Sequence, residues 1–250
     1  LDGTDEFSDI NTLPLRDYNW RGVLVDSKSM TWRLIDIKDT EQAQSLYYMD
    51  ATLNADGELQ GVLKARYTKH SAYQFRKNFK TKNLEDYVSN LESVLENIEI
   101  SNYEAKNTNE YEGFVSESYD FIFENSAEVV NDKIYIRPLS FLRLTSNPFV
   151  EETREYPIDF GHPIKENYTI AINIPEGYQV ESAPKPIIVN LPDDLGGFKY
   201  ILDCKDKKIN LSVNFEISQA FISSGNFVYL KEYFNQLVMK QAEQIILTKS

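Results

Sequence analysis

Alternation of apolar and polar positions with period two dominates the chain, which predicts strand after strand. Gly22–Asp26 and Met30–Ile37 flank the polar turn Ser27-Lys28-Ser29 and read as a hairpin. Leu46–Leu53 puts Tyr47, Met49, Ala51 and Leu53 on one face, and Leu59–Tyr67 does the same with Leu59, Gly61, Leu63, Ala65 and Tyr67. Between them Asn54-Ala55-Asp56-Gly57 is a turn with glycine where positive φ is wanted, so the two strands make a second, longer hairpin. Further strands are predicted at Ile98–Ala105, Phe114–Phe123, Lys133–Ile136, Tyr168–Ile174, Tyr178–Ser182, Lys185–Asn190, Gly197–Leu202, Ile209–Ile217 and Gln244–Thr248.

The period changes twice. Ser71–Phe79 and Leu84–Leu95 carry apolar residues at helical spacing; in the second, Leu84, Tyr87, Val88, Leu91, Val94 and Leu95 make one stripe. Asn83 stands as its N-cap, with Glu85 and Asp86 in the first turn. A last helix is expected at Val228–Lys240. One buried and one solvated face per strand suits antiparallel sheets packed face to face. The expectation is therefore a mainly β protein: a large antiparallel β-sandwich with one inserted helical segment and one C-terminal helix. Residues 26–250 are read as that domain, with a subdivision conceivable at 138–157, where Pro138 to Pro157 is irregular yet still holds Phe141, Leu142, Leu144 and Phe149.

Composition narrows the partners. The formal charge of -13 on 250 residues opposes binding to nucleic acid or anionic membranes. No apolar run reaches the ~18 residues of a membrane span. Cys204 is the only cysteine, so no internal disulfide can form.

Residues 1–25 carry a different kind of signal. Leu1-Asp2-Gly3-Thr4-Asp5, followed by Leu13-Pro14-Leu15 and Trp20-Arg21-Gly22, resembles the end of the catalytic core in transglutaminase-like proteins of the papain-like cysteine peptidase superfamily. Tyr156-Pro157-Ile158-Asp159-Phe160-Gly161, Ile174-Pro175-Glu176-Gly177-Tyr178 and Leu230–Leu247 are similar to the C-terminal β-domain of multidomain members from Bacteroidetes. The resemblance implies a piece of a longer protein, exported to the periplasm or cell surface, whose upstream domains are its first partners. It also implies that Asp2, with Asp5 the weaker claimant, is the carboxylate of a Cys-His-Asp triad whose other members precede Leu1. That carboxylate would hold the imidazole in one tautomer while the imidazole takes the thiol proton. On this reading the chain itself is a non-catalytic accessory domain that needs no cofactor. A free-standing module binding a glycan or a protein is the alternative, as is a purely structural domain.

The remaining candidates carry less. Cys204 ends an apolar strand, where packing is the ordinary role of a free thiol. His70 lies at a strand-to-helix junction, expected to cap or face solvent, and His162 lies in a turn; two separate histidines are short of the three or four ligands a metal needs. Glu151-Glu152 and Asp193-Asp194 read as solvated turns. Trp20 and Trp32 read as core or inter-domain packing, while the Arg, Tyr and Trp content could line a glycan or peptide groove.

Overall fold

In the computed structural model the described residues are 2–8, 12–38 and 41–250; Leu1 of the opening pentapeptide lies outside them. The first strands are β1 (Trp20–Asp26), β2 (Thr31–Ile37), β3 (Ala43–Leu53) and β4 (Leu59–Tyr67). Helices α1 (Lys69–Lys80) and α2 (Leu84–Leu95) follow, then β5 (Ile98–Lys106), β6 (Val115–Phe123), β7 (Ala127–Val130) and β8 (Lys133–Ile136). The second half holds β9 (Ile158–Asp159), β10 (Ile164–Asn173), β11 (Tyr178–Ser182), β12 (Ile187–Asn190), β13 (Gly196–Lys205), β14 (Lys208–Ile217) and β15 (Phe221–Ile222). Helix α3 (Phe227–Ala242) and β16 (Ile245–Lys249) close the chain.

Eight strands form the main sheet, in the order β12-β13-β14-β10-β3-β4-β6-β5, and a four-stranded sheet runs β11-β16-β8-β7. Both halves of the chain contribute four strands to the main sheet. They meet at β10 and β3, which pair in parallel from Ile164↔Ala43 to Asn173↔Thr52. The sheet is therefore mixed rather than wholly antiparallel. A parallel pair needs a long connection to bring the chain back to its starting end, and the 110 or so residues between these strands supply it.

Burial follows the alternation. In β3, Met49, Ala51 and Leu53 are buried while Leu46 and Tyr48 are exposed. One inner face, with Leu59, Leu63, Ile170, Ile172, Leu211 and Val213, shares a single core with Ile134 and Ile136 of β8, Ile245 and Leu247 of β16, and Leu230 and Leu237 of α3. The hairpin β3–β4 turns at Gly57, whose φ of +88° is open to glycine and whose absent Cβ would run into the Ala127 carbonyl. Asn83 caps α2 through the Asp86 amide at 2.8 Å. The apolar stripe of that helix is narrower than its spacing implies: Tyr87 is buried against Phe75 and Phe79 of α1 and Tyr103 of the edge strand β5, while Leu84 and Val94 face solvent.

The 138–157 stretch is a packed strap. Phe141 sets its ring against Phe121 and Phe123, and Phe149 against Phe160, Phe227 and Phe234. Asn147 bonds the Lys231 carbonyl at 2.9 Å, fixing the strap to α3. Each aromatic pair adds about 0.5–1.5 kcal/mol beyond the area it buries.

One element stands apart. β1 and β2 pair only with each other, as a two-stranded sheet. Among the described residues no helix is long and apolar enough to cross a membrane.

Candidate functional site

The N-terminal segment folds into consecutive turns made by its own short polar side chains. One Asp2 carboxylate oxygen accepts from the Thr4 amide at 2.8 Å and the Thr4 hydroxyl at 2.7 Å. The other is paired with the Arg16 guanidinium. The Thr4 amide and hydroxyl bonds, helped by Arg16, hold the Asp2 carboxyl below its ordinary range. Asp5 is the anchor: it is nearly buried, accepts from the Tyr73 hydroxyl at 2.9 Å and the Phe7 amide at 2.9 Å, and lies 3.9 Å from Lys77. Burial pushes its pKa up, but these donors and cations outweigh that and leave it lowered. Asp2 thus sits on a segment fastened to α1 through Asp5.

Asp2, Thr4, Leu13, Arg16, Trp20 and Ile37 line an open groove of about 740 Å³. Beside it projects the β1–β2 hairpin. One face of that hairpin aligns Val23 with Leu34 and Val25 with Trp32, and all four are exposed. Trp20 and Trp32 are 70% and 69% exposed, so neither packs in the core. A bare hairpin of this size is marginal in water, and an apolar stripe on it is a surface awaiting cover.

The two histidines come together although 92 positions separate them in the sequence. The His70 ring is 4.4 Å from that of His162, and Tyr73 lies 5.0 Å away. His70 is fully buried, which overturns the expected capping or surface role: the first turn of α1 faces the core rather than solvent. One ring nitrogen meets the Gln74 amide at 3.1 Å, and Nδ1 has no partner among the described residues. Burial first, then His162 and Lys77, depress the His70 pKa to about 3. Among the described residues no group of three or more His, Cys, Asp or Glu is placed to hold a metal ion.

Cys204 lies in β13 opposite Ile209, and burial together with Asp203 raises its pKa, so it is a thiol at neutral pH. Glu151, Glu152, Asp193 and Asp194 are exposed.

Two features escaped the sequence. The first is a carboxylate set among tyrosines on the inner face: Glu117, 7% exposed, accepts from Tyr67 at 2.6 Å and Tyr103 at 2.8 Å. Burial raises its pKa against the pull of the Tyr67, Tyr103 and Tyr87 hydroxyls. The second is a groove of about 650 Å³ on the outer face of the main sheet, lined by Leu46, Tyr48, Lys64, Arg66, Phe114 and Ser118 among others. Its signal was present in β4, where Lys64 and Arg66 occupy the positions that alternate with Leu63 and Ala65.

Residues 132–247 match the model of a family described as a domain of unknown function with solved structure, DUF3858. No curated protein matches the chain. Among solved structures, a chain titled a "putative protease" from Parabacteroides distasonis aligns at 10% identity and a TM-score of 0.35, over 40% of this chain and 19% of that one. The alignment spans well under two thirds of that protein's length.

Proposed function

We propose that the chain is a non-catalytic accessory β-domain of a transglutaminase-like cysteine acyltransferase or peptidase, exported to the periplasm or cell surface. Its tasks are to present Asp2 to an upstream catalytic core and to cover one side of that core. The observation that carries this reading is the N-terminal end of the fold. There Asp2 lines an open groove beside a hairpin whose Val23, Val25, Trp32 and Leu34 face solvent. A surface of this kind is what a domain shows where a neighbour belongs.

In that assembly an imidazole N–H takes the place of Arg16 on the Asp2 carboxylate. The exchange is cheap, since Arg16 is half exposed and solvent screens an ion pair at the surface. Asp2 then fixes the tautomer and steadies the imidazolium as the thiol proton moves to the ring. Asp5, tied to Tyr73, keeps the segment in place.

The test is expression of the chain with and without the region encoded upstream. The longer protein should hydrolyse or transfer amides through a cysteine, with Asp2→Asn lowering kcat. Peptide or amide hydrolysis by the 250 residues alone would overturn the reading. The outer-face groove favours the second reading, a free-standing binding module, and absence of a Cys and His upstream would decide for it.

A further inference from the structure

The outer face of the main sheet is arranged in rows that cross the strands. Registers place Asn167, Leu46, Arg66, Ser116 and Lys106 in one row, and Thr169, Tyr48, Lys64, Ser118 and Glu104 in the next. At the ~4.8 Å spacing of strands each row runs roughly 19 Å, and Lys64 and Arg66 stand about 7 Å apart along β4. Lys106 is occupied by Glu104 at 3.1 Å. Lys64 and Arg66, both exposed, have no carboxylate partner among the described residues. Arg66 instead lies over the Phe114 ring at 3.8 Å, which holds the guanidinium in place and leaves its N–H fork free. In a chain of net charge -13, two unpaired cations on one groove are a local reversal of sign. Tyr48, 43% exposed, lies directly across from Lys64 in the β3–β4 register and lines the same groove.

We propose that this groove binds a carboxylate-bearing oligosaccharide, a chain of uronic acid residues, with Lys64 and Arg66 taking the carboxylates and Tyr48 stacking on a sugar ring. Charge complementarity selects an anion, and the remaining lining selects a sugar. Ser116, Ser118, Asn167 and Thr169 offer hydroxyls and an amide to sugar hydroxyls. An extended peptide would find main-chain partners only at the far end of the rows, on the edge strand β5, because β3, β4, β6 and β10 beneath Lys64, Arg66 and Tyr48 are each paired on both sides. Phosphate polymers need a denser cationic field than two side chains provide. The groove belongs to the sheet itself, so such binding holds whether or not an upstream core exists.

Calorimetric titration of the whole chain with hexagalacturonate, cellohexaose and hexaglutamate tests this. Hexagalacturonate should bind, more weakly as salt rises, and neither of the others should match it. Lys64→Ala and Arg66→Ala should each weaken binding about tenfold, and Tyr48→Ala by a similar factor. Lys199→Ala, in β13 and four strands from β4 in the same sheet, should leave it unchanged, with unfolding temperatures confirming that every variant folds. No binding of hexagalacturonate by the folded protein overturns the proposal. So does equal binding of hexaglutamate, which would make the ligand an acidic peptide, or of cellohexaose, which would make the cations irrelevant. A loss in Lys199→Ala as large as in Arg66→Ala overturns it too, since the attraction would then be diffuse.

Discussion

His70 and His162 meet in a tilted ring contact, 4.4 Å between centroids and 40° apart in plane, and join the first turn of α1 to the turn that leads into β10. Tyr18 reaches the same His70 ring edge-on at 6.2 Å, so the N-terminal segment meets both elements at one point. Gln74, Tyr73 and Lys77 are the other polar neighbours on α1.

This contact fixes a pH dependence. The folded His70 pKa of about 3 lies below its ordinary value of 6.5. The unfolded chain therefore takes up the proton first, and the stability that neutral His70 contributes is full above pH 6.5 and drains away as pH falls from there toward 3. Urea unfolding at a series of pH values should show this fall. In His70→Phe, which cannot titrate, the slope between pH 6.5 and 4.5 should flatten. An unchanged slope would place the acid sensitivity elsewhere.

Glu117 works in the opposite sense. Its raised pKa means that the folded state holds the proton more tightly, so the carboxyl costs stability as pH climbs above its ordinary 4.5. Glu117→Gln removes the buried charge and still accepts a hydrogen bond; it should be neutral or stabilising at pH 8. Glu117→Ala leaves the Tyr67 and Tyr103 hydroxyls without their acceptor and should lose about 2–3 kcal/mol. Thermal unfolding of the two variants side by side checks the sign.

Tyr73→Phe deletes the hydroxyl that holds Asp5. A loss of roughly 1 kcal/mol is expected, concentrated in residues 2–8. Hydrogen exchange should quicken there and stay unchanged in β3 and β10. Uniform acceleration would mean that the segment is not a separate unit.

The two tryptophans, both about 70% exposed, report on the hairpin. Emission from the chain alone should be red-shifted and readily quenched by acrylamide. Joined to an upstream core that covers the hairpin, the chain's own emission should shift to the blue and resist quenching. A blue-shifted spectrum from the chain alone would contradict the exposed placement of Trp20 and Trp32.

Most of the strand ladder was legible because sheets with one buried face impose period two, as Ile209, Leu211, Val213 and Ile217 do. Leu59–Tyr67, Lys133–Ile136 and Tyr178–Ser182 have the bounds their alternation predicts. β9 and β15, two residues each, are too short to carry a period, and β7 does not alternate, with Ala127 buried and Glu128, Val129 and Val130 all exposed. The parallel junction between β3 and β10 leaves no trace in either strand, since alternation is blind to partner and direction. The same blindness hid the site chemistry. His70 next to His162, and Glu117 among Tyr67, Tyr87 and Tyr103, arise from pairings across the fold. Lys64 and Arg66 become a groove only through their neighbours in β3 and β6, which the pattern of β4 alone does not name.

The parallel junction also sets an order of assembly. As the chain emerges from the ribosome, β3, β4, β5 and β6 are complete long before residues 164–173 exist. Until then β3 ends that half-sheet with its outer main-chain groups unpaired, a long alternating edge open to a second chain. Closing it requires a contact across about 120 residues, which makes the pairing of β10 with β3 a slow and late event. A newly made chain is therefore most prone to aggregate in the interval before β10 arrives, and a destabilised β10 would lengthen that interval.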